Sequence, residues 1–177
     1  MNDERDIELV RRFQRGDVKA FESFIELHQG RLYRLACAFL YQESLAEDAV
    51  QEVYIRAYKG LPAFRFASKP FSWMYRTLKN VCSEMNKRHG KENGVELSEQ
   101  QDNEDPIDLE YQQTLKEVYG AMQTLSRRER DVVLLRVFEE FSEKETAVTL
   151  GVRNGTVKTL LHRGLKKLQA KCGELVE

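Results

Sequence analysis

The chain has 177 residues, 41% of them apolar and 32% charged, with only 3 Pro and 10 Gly. That suits one ordinary domain or two small ones, soluble in composition, and the scarcity of turn residues favours helices over a strand-rich sandwich. No 18-residue uncharged apolar stretch occurs, which excludes a helical membrane span, and Met1-Asn2-Asp3-Glu4-Arg5 lacks the basic start and apolar block of a signal peptide, so a cytoplasmic protein is expected.

The net charge of −1 hides a segregation. Residues 1–91 carry a net +4, residues 92–114 a net −8 with no base at all, and residues 115–177 a net +3. A near-neutral total therefore does not argue against nucleic acid as a partner. The three cysteines, Cys37, Cys82 and Cys172, are far apart and odd in number. They offer neither a disulfide framework nor a Cys-x-x-Cys pair, and each lies in an apolar helical pattern that predicts a buried free thiol.

In chain order, Ile7, Leu9, Val10 and Phe13 give a short amphipathic helix that stops at Gly16, and Asp17 caps the next one. Phe21, Phe24, Ile25, Leu27, Leu32, Leu35, Ala36, Phe39 and Leu40 continue at helical spacing. Ser44-Leu45-Ala46-Glu47 reads as a capping box. The helix behind it sets Ala46, Ala49, Val50, Val53, Ala57 and Leu61 on one face and ends at Gly60-Leu61-Pro62. Phe71, Met74, Tyr75, Leu78, Val81, Cys82 and Met85 define another apolar face. The acidic stretch over 92–110 cannot bury enough apolar surface to offset its ordering entropy and reads as a flexible linker. Beyond it, Tyr111, Leu115, Val118, Tyr119 and Met122 form a stripe. Ser126-Arg127-Arg128-Glu129 opens a helix carrying Val132, Val133, Leu135 and Val137. Ser142-Glu143-Lys144-Glu145 opens a short helix to Leu150. A last helix runs from about Asn154 to about Cys172. The expected fold is all-α: two small helical domains, 1–91 and 111–177, joined by the acidic linker 92–110.

Residues 142–168 have the spacing of a helix-turn-helix. Ala147 is small enough for close helix crossing, Gly151 suits a left-handed turn, and Val157 locks the second helix onto the first. The expected core stripe is Val157, Leu161, Leu165 and Leu168. The opposite face offers Arg153, Asn154, Thr156, Lys158, Thr159, His162 and Arg163 to a major groove; the plainer reading is a helical hairpin with a solvated basic face. A second constellation interleaves aromatics and bases: Phe64, Arg65, Phe66, Ser68 and Lys69 in a loop, then Trp73, Arg76, Lys79, Asn80, Ser83, Lys87 and Arg88 on the next helix. Unpaired bases stack on aromatic rings while Lys and Arg hold phosphates, so this surface suits melted DNA. Alternatively, Phe64, Phe66 and Trp73 simply cap the core. The third is the outward face Asp48, Gln51, Glu52, Ile55, Arg56 and Lys59, where an apolar Ile among charges suggests protein docking rather than a merely solvated face. No catalytic set, cofactor motif or metal-ligand spacing emerges, and His28, His89 and His162 are isolated in sequence.

Ala46-Glu47-Asp48-Ala49-Val50-Gln51-Glu52-Val53-Tyr54 resembles the Ala-Glu-Asp-x-x-Gln signature of bacterial sigma factors. The segment Phe71 to Asn80, with Trp73, resembles a helix of the same family. Leu125-Ser126-x-x-Glu129-Arg130 and Gly155-Thr156-Val157-Lys158-x-x-Leu161-His162-Arg163 are similar to its C-terminal signatures. In length the chain is similar to the extracytoplasmic-function group of the sigma-70 family.

The resemblance implies a non-enzymatic promoter-recognition subunit without a cofactor, metal or small-molecule substrate. Its first domain would dock on the clamp helices of one large subunit of core RNA polymerase through the 48–59 face. The 62–70 loop and the following helix would open and read the −10 element, capturing a flipped base. The linker would thread the polymerase cleft. The second domain would read the −35 element with its last helix and grip the flap of the other large subunit with its 111–140 helices. An anti-sigma partner is also implied. The chain departs from the family at Thr159-Leu160 and Gly164-Leu165, where Ser-Arg and Ala-Arg are common. Leu160, three residues after Val157, can turn inward, and neither Leu160 nor Leu165 is carried over as a DNA contact. Two rivals are a response-regulator-type helix-turn-helix protein, which needs an upstream α/β receiver, and a sigma-sequestering protein, which needs no groove-reading helix.

Overall fold

The computed structural model of the protein describes residues 3–40, 42–89 and 117–173. Among them helices and turns occur and no strand, as the all-α reading expects. The chain divides into two compact units, Met1–Ser98 and Glu99–Glu177. The expected linker over 92–110, Tyr111, Leu115 and the Cys172 side chain lie outside the described residues.

The first unit holds α1 (Asp3–Gln14), α2 (Val18–Phe39), α3 (Ala46–Gly60) and α4 (Pro70–His89). Gly16 reverses the chain at φ +98°, a backbone angle that glycine adopts without a Cβ clash. Asp17 then caps α2: its carboxylate accepts from the Ala20 N–H at 3.2 Å and from Arg12 at 2.6 Å. Phe24, Leu32 and Leu35 of α2 are buried, as are Ala49, Val53 and Ala57 of α3 and Met74, Tyr75 and Leu78 of α4. α2 packs against the other three helices. The small side chains on the buried face of α3 let its backbone come close to its neighbours.

Three expectations for this unit need correction. Ser44 does not open a capping box. It lies inside a 3₁₀ turn, Glu43–Leu45, that runs straight into α3, so the first α3 amides receive no side-chain cap. Leu27 is exposed, because the buried face of α2 passes through His28 instead. His28 itself is not isolated. It and Asp6 are each 3% exposed and meet at 2.9 Å, tying α1 to α2. Arg31 can only donate to Nδ1, at 3.4 Å, so Nε2 carries the proton that Asp6 accepts. The Phe24 and Phe71 rings, both 4.9 Å from the imidazole, complete the enclosure. Cys37 and Cys82 are buried free thiols, as expected. Burial pushes both up to about 12, so neither supplies a thiolate nucleophile at neutral pH.

The second unit contains a helical segment over 117–123 (α5), then α6 (Arg127–Val133), α7 (Glu143–Leu150) and α8 (Asn154–Gly173). Both predicted capping boxes form: Ser126 with Glu129, and Ser142 with Glu145. Gly151 ends α7 in the left-handed conformation at φ +66°, and Val157 is fully buried with Val132 and Ala147.

Two expected core positions here are exposed. A π turn, Leu134–Phe138, widens the end of α6, closed by Glu139 N–H donating to the Leu134 carbonyl at 3.0 Å. The wider turn rotates Leu134 and Leu135 inward and leaves Val137 49% exposed beside Phe138 at 52%. On α8, Leu165 is 43% exposed. The buried face instead runs through Val157 and Gly164, with Leu160 and Leu161 packed on the Val132–Ala147–Val157 cluster. α8 presses so close to α6 that a Cβ on Gly164 would sit 2.8 Å from the Val133 Cγ2.

Candidate docking face and nucleic-acid interface

The outward face of α3 is set by its inward side, which is fully used in packing. Val50, Val53 and Ala57 turn into the core, which leaves Asp48, Gln51 and Lys59 exposed and Ile55 half in solvent at 50%. Glu52 and Arg56 are half-buried and bonded at 2.7 Å along the helix. Arg56 also reaches across to Glu84 of α4 at 2.8 Å. This guanidinium holds the Glu84 carboxyl below its ordinary range. The clasp is therefore present above the usual carboxylate pKa and is lost only as pH falls through the depressed value. A cavity of about 280 Å³ opens between the two helices, lined on the α3 side by Asp48, Gln51, Glu52, Ile55 and Arg56. The α4 side adds Val81, Glu84, Met85 and Arg88. Arg88, expected on the DNA surface, thus sits on the docking groove. The share of α4 in this groove has no mark in the sequence, because a single helix's pattern does not show which other helix lies beside it.

The basic-aromatic loop follows a short 3₁₀ turn, Leu61–Ala63. Phe64 and Phe66 are half-buried, and their rings meet edge to face at 5.0 Å. Both rings are thus partly covered by the unit and partly open to solvent. Phe66 has φ +56°, an unfavourable angle for a residue with a Cβ, so surrounding contacts must hold it. Arg65 is exposed. Ser68 accepts from Arg76 at 2.9 Å, so these two candidates brace one another. Lys69 is paired with Asp3 at 2.5 Å and brings less free charge than its sequence position suggests. Trp73 lies across Gly60, whose missing Cβ makes room for the indole. Asn80, Lys87 and Arg88 are exposed, while Lys79 is half-buried.

On α8 the candidate face stands apart from the packed one. Arg153, Asn154, Lys158, Thr159, His162 and Arg163 are exposed, and Thr156 is half-buried. Lys158 makes a loose pair with Glu143 of α7 at 3.8 Å, and the Thr159 hydroxyl donates back to the Gly155 carbonyl at 3.0 Å. Packing of Val157, Leu160, Leu161 and Gly164 against α6 and α7 fixes which side of α8 faces out. The arrangement can insert one helix edge into a groove of DNA. Among the described residues no group of three or more His, Cys, Asp and Glu is placed to hold a metal ion.

Known proteins share both halves. The sigma-70 region 2 family matches residues 24–92, and the sigma-70 region 4 family matches residues 115–168. The extracytoplasmic-function (ECF) RNA polymerase sigma factor SigW of Bacillus subtilis is 26% identical over 182 residues, covering 94% of this chain and 96% of that protein. The corresponding factor SigE of Mycolicibacterium smegmatis is 31% identical over 163 residues, covering 87% of this chain and 63% of that longer protein. Among solved structures, CnrH in complex with the cytosolic domain of CnrY has a TM-score of 0.75 at 22% identity, over 96% of this chain and 98% of that one. The sigma factor RpoE in complex with the anti-sigma factor NepR from Bartonella quintana has a TM-score of 0.71 at 23% identity, over 88% and 98%. These structures share the fold. With the two family regions in order and the curated relatives spanning nearly its whole length, the chain belongs to the extracytoplasmic-function group of the sigma-70 family of RNA polymerase sigma factors.

Proposed function

We propose that this sigma factor divides polymerase docking and promoter recognition among four surfaces, with domains over 1–91 and 111–177 and a linker over 92–110. The α3 face and its groove dock on the clamp helices of core RNA polymerase. The 62–70 loop with α4 opens and captures the −10 strand. α8 enters the major groove at the −35 element, and α5 with the α6 end grips the polymerase flap, where exposed Val137 and Phe138 offer an apolar contact. The single observation that carries this reading is α8: one side is spent on α6 and α7, and the other presents six exposed polar or basic side chains. The chain acts in the cytoplasm, carries no catalysis or cofactor of its own, and meets an anti-sigma partner on these same surfaces. Both solved relatives quoted above are complexes, one of them with a named anti-sigma factor, which supports that partner class. The response-regulator rival needed an α/β receiver, and the described residues of the first unit hold helices and no strand.

Asp48→Lys is expected to weaken binding to core polymerase with unchanged circular dichroism. A lost polar contact at a docked surface costs about 1–3 kcal/mol, and Asp48 packs against nothing in the core. Unchanged competition for core would remove α3 from the docking surface.

A promoter template already mismatched across the −10 region separates the two DNA surfaces. Lys158→Ala is expected to lose about 1–3 kcal/mol of −35-dependent recruitment on duplex and bubble templates alike. Phe64→Ala and Phe66→Ala are expected to slow opening on duplex DNA, each stacking partner being worth about 1–3 kcal/mol. An artificial bubble relieves the melting part of that defect. Rescue of Lys158→Ala by the bubble, with both Phe variants left as defective as before, would reverse the assignment.

A further inference from the structure

The segment that carries Phe64 and Phe66 is fastened to α1, a helix that precedes it by about fifty residues and that no signature motif singles out. Gln14 donates both amide hydrogens to it, to the Leu61 carbonyl at 2.9 Å and the Phe64 carbonyl at 2.8 Å. Asp3 holds its far end through Lys69. Between these two points the Arg11 guanidinium lies 5.3 Å from the centre of the Phe66 ring. α1 therefore meets the segment at Leu61, Phe64, the Phe66 ring and Lys69.

Arg11 differs from its neighbours. Arg12 is committed to Asp17 at 2.6 Å and Arg15 to Glu8 at 3.4 Å. Arg11 is exposed and has no carboxylate partner among the described residues. The guanidinium carbon lies over the Phe66 ring, which favours the group's staying beside that ring, and its N–H donors are committed to no carboxylate among the described residues. A base stacked on a ring brings a phosphodiester within a few ångströms of that ring, and a planar guanidinium matches phosphate oxygens with paired hydrogen bonds.

We propose that α1 is one wall of the strand-capturing site: Arg11 holds a backbone phosphate of the melted DNA strand beside Phe66, and Gln14 is the positioning residue that keeps the loop in its capturing shape. This inference rests on the reading of the 62–70 loop as the −10 surface.

The test is equilibrium binding of the reconstituted holoenzyme to a single-stranded oligonucleotide carrying the non-template strand of a promoter it transcribes, measured across a series of salt concentrations. Each phosphate neutralised on a single strand contributes about 0.7 to the slope of log K against log salt. Arg11→Gln is expected to lower the slope by about 0.7 and the affinity by about tenfold. Arg11→Lys keeps the charge and should keep the slope. Gln14→Met removes both donors at similar shape, so it should lower affinity and leave the slope as it was. A merely structural role for Arg11 would not move the slope. If Phe66→Ala weakens binding while Arg11→Gln changes neither slope nor affinity, the α1 wall is overturned and the loop reading stands. If Phe66→Ala also binds normally, the loop reading itself fails and this inference with it. Loss of the Trp73 fluorescence signature of the folded unit in Arg11→Gln, with Arg11→Lys folded and at reduced slope, would likewise overturn a phosphate-holding role.

Discussion

Arg130→Met is expected to loosen the second helical unit by about 2–4 kcal/mol while the first unit keeps its stability. Arg130 is buried, and its guanidinium is spent on backbone carbonyls at the end of α5: Met122 at 2.9 Å, Gln123 at 3.2 Å and Leu125 at 3.5 Å. The last carbonyls of a helix have no partner within the helix, and burying them unpaired is costly. Hydrogen bonds to a charged group contribute about 1.5–3 kcal/mol each, offset in part by relief from burying the charge. Met fills similar volume and supplies no donor. Hydrogen exchange resolved along the chain gives the readout: amides of 121–135 should lose protection, and those of α2 and α4 should not. Uniform protection across both units would show that the carbonyls find other partners and that Arg130 contributes little. Glu129 beside it adds an acid-sensitive component. Lys167, at 2.7 Å, holds its carboxyl below the ordinary range, as do the Ser126 contacts. Its contribution is present above the usual carboxylate pKa and is lost as pH falls through the depressed value.

This places a family signature in a different light. Leu125-Ser126-x-x-Glu129-Arg130 is similar to a signature of the family, and its Ser126 and Glu129 also read as a helix opening. In the structure Ser126 and Glu129 cap α6, Arg130 caps the helix before it, and Leu125 is buried between them. The motif is a joint between two helices of the unit. The residues facing outward on α8 are the opposite case, with little packing to constrain them and a surface to offer.

What could be read from the chain, and what could not, follows from the range of the interactions. Capping boxes at Ser126 and Ser142 and the left-handed Gly151 are local, within four residues, and the sequence pattern sufficed for them. The apolar face of α3 is likewise one helical stripe, with five small or branched residues that are buried as expected. The local pattern still misled at Ser44, where a 3₁₀ turn runs into α3, and several other failures involve a partner on another element or a change of helical pitch. Asp6 and His28 are 22 residues apart, and a lone acid and a lone histidine carry no mark of each other. Gln14 and Arg11 sit about fifty residues before the loop they brace. Lys69 and Arg76 looked like free bases because Asp3 and Ser68 were not visible as their partners. At Val137 a constant 3.6-residue period was assumed, and one π turn shifted the register by enough to bring Val137 to the surface.

Gly164 and Leu165 give the sharpest test of the α8 register, because hydrophobicity alone predicts the wrong one of the two to be essential. Leu165→Lys is expected to change stability by no more than about 0.5 kcal/mol, since Leu165 is largely in solvent and lysine is a good helix former. Gly164→Val should cost about 2–4 kcal/mol. A Cβ there lies 2.8 Å from the Val133 Cγ2 and 3.6 Å from the Glu129 backbone, so α8 must move away from α6, and overpacking of a core contact of this kind costs about 1–3 kcal/mol before the Val γ carbons are added. Gly164→Ala is the intermediate case: helix propensity returns about 1 kcal/mol against the clash. Pairing Gly164→Ala with Val133→Ala removes the opposing methyls, and the two changes should couple favourably in a double-mutant cycle, by about 1 kcal/mol. Hydrogen exchange of the α6 and α8 amides would report each variant. The displacement matters for function because the same crossing sets the angle at which Lys158, His162 and Arg163 project. Gly164→Val should therefore lose −35-dependent transcription, and the loss should persist at temperatures low enough to keep the unit folded. Full activity in a folded Gly164→Val protein, or collapse of Leu165→Lys, would mean that α8 packs through the Leu165 side and that its outward face is not the one assigned.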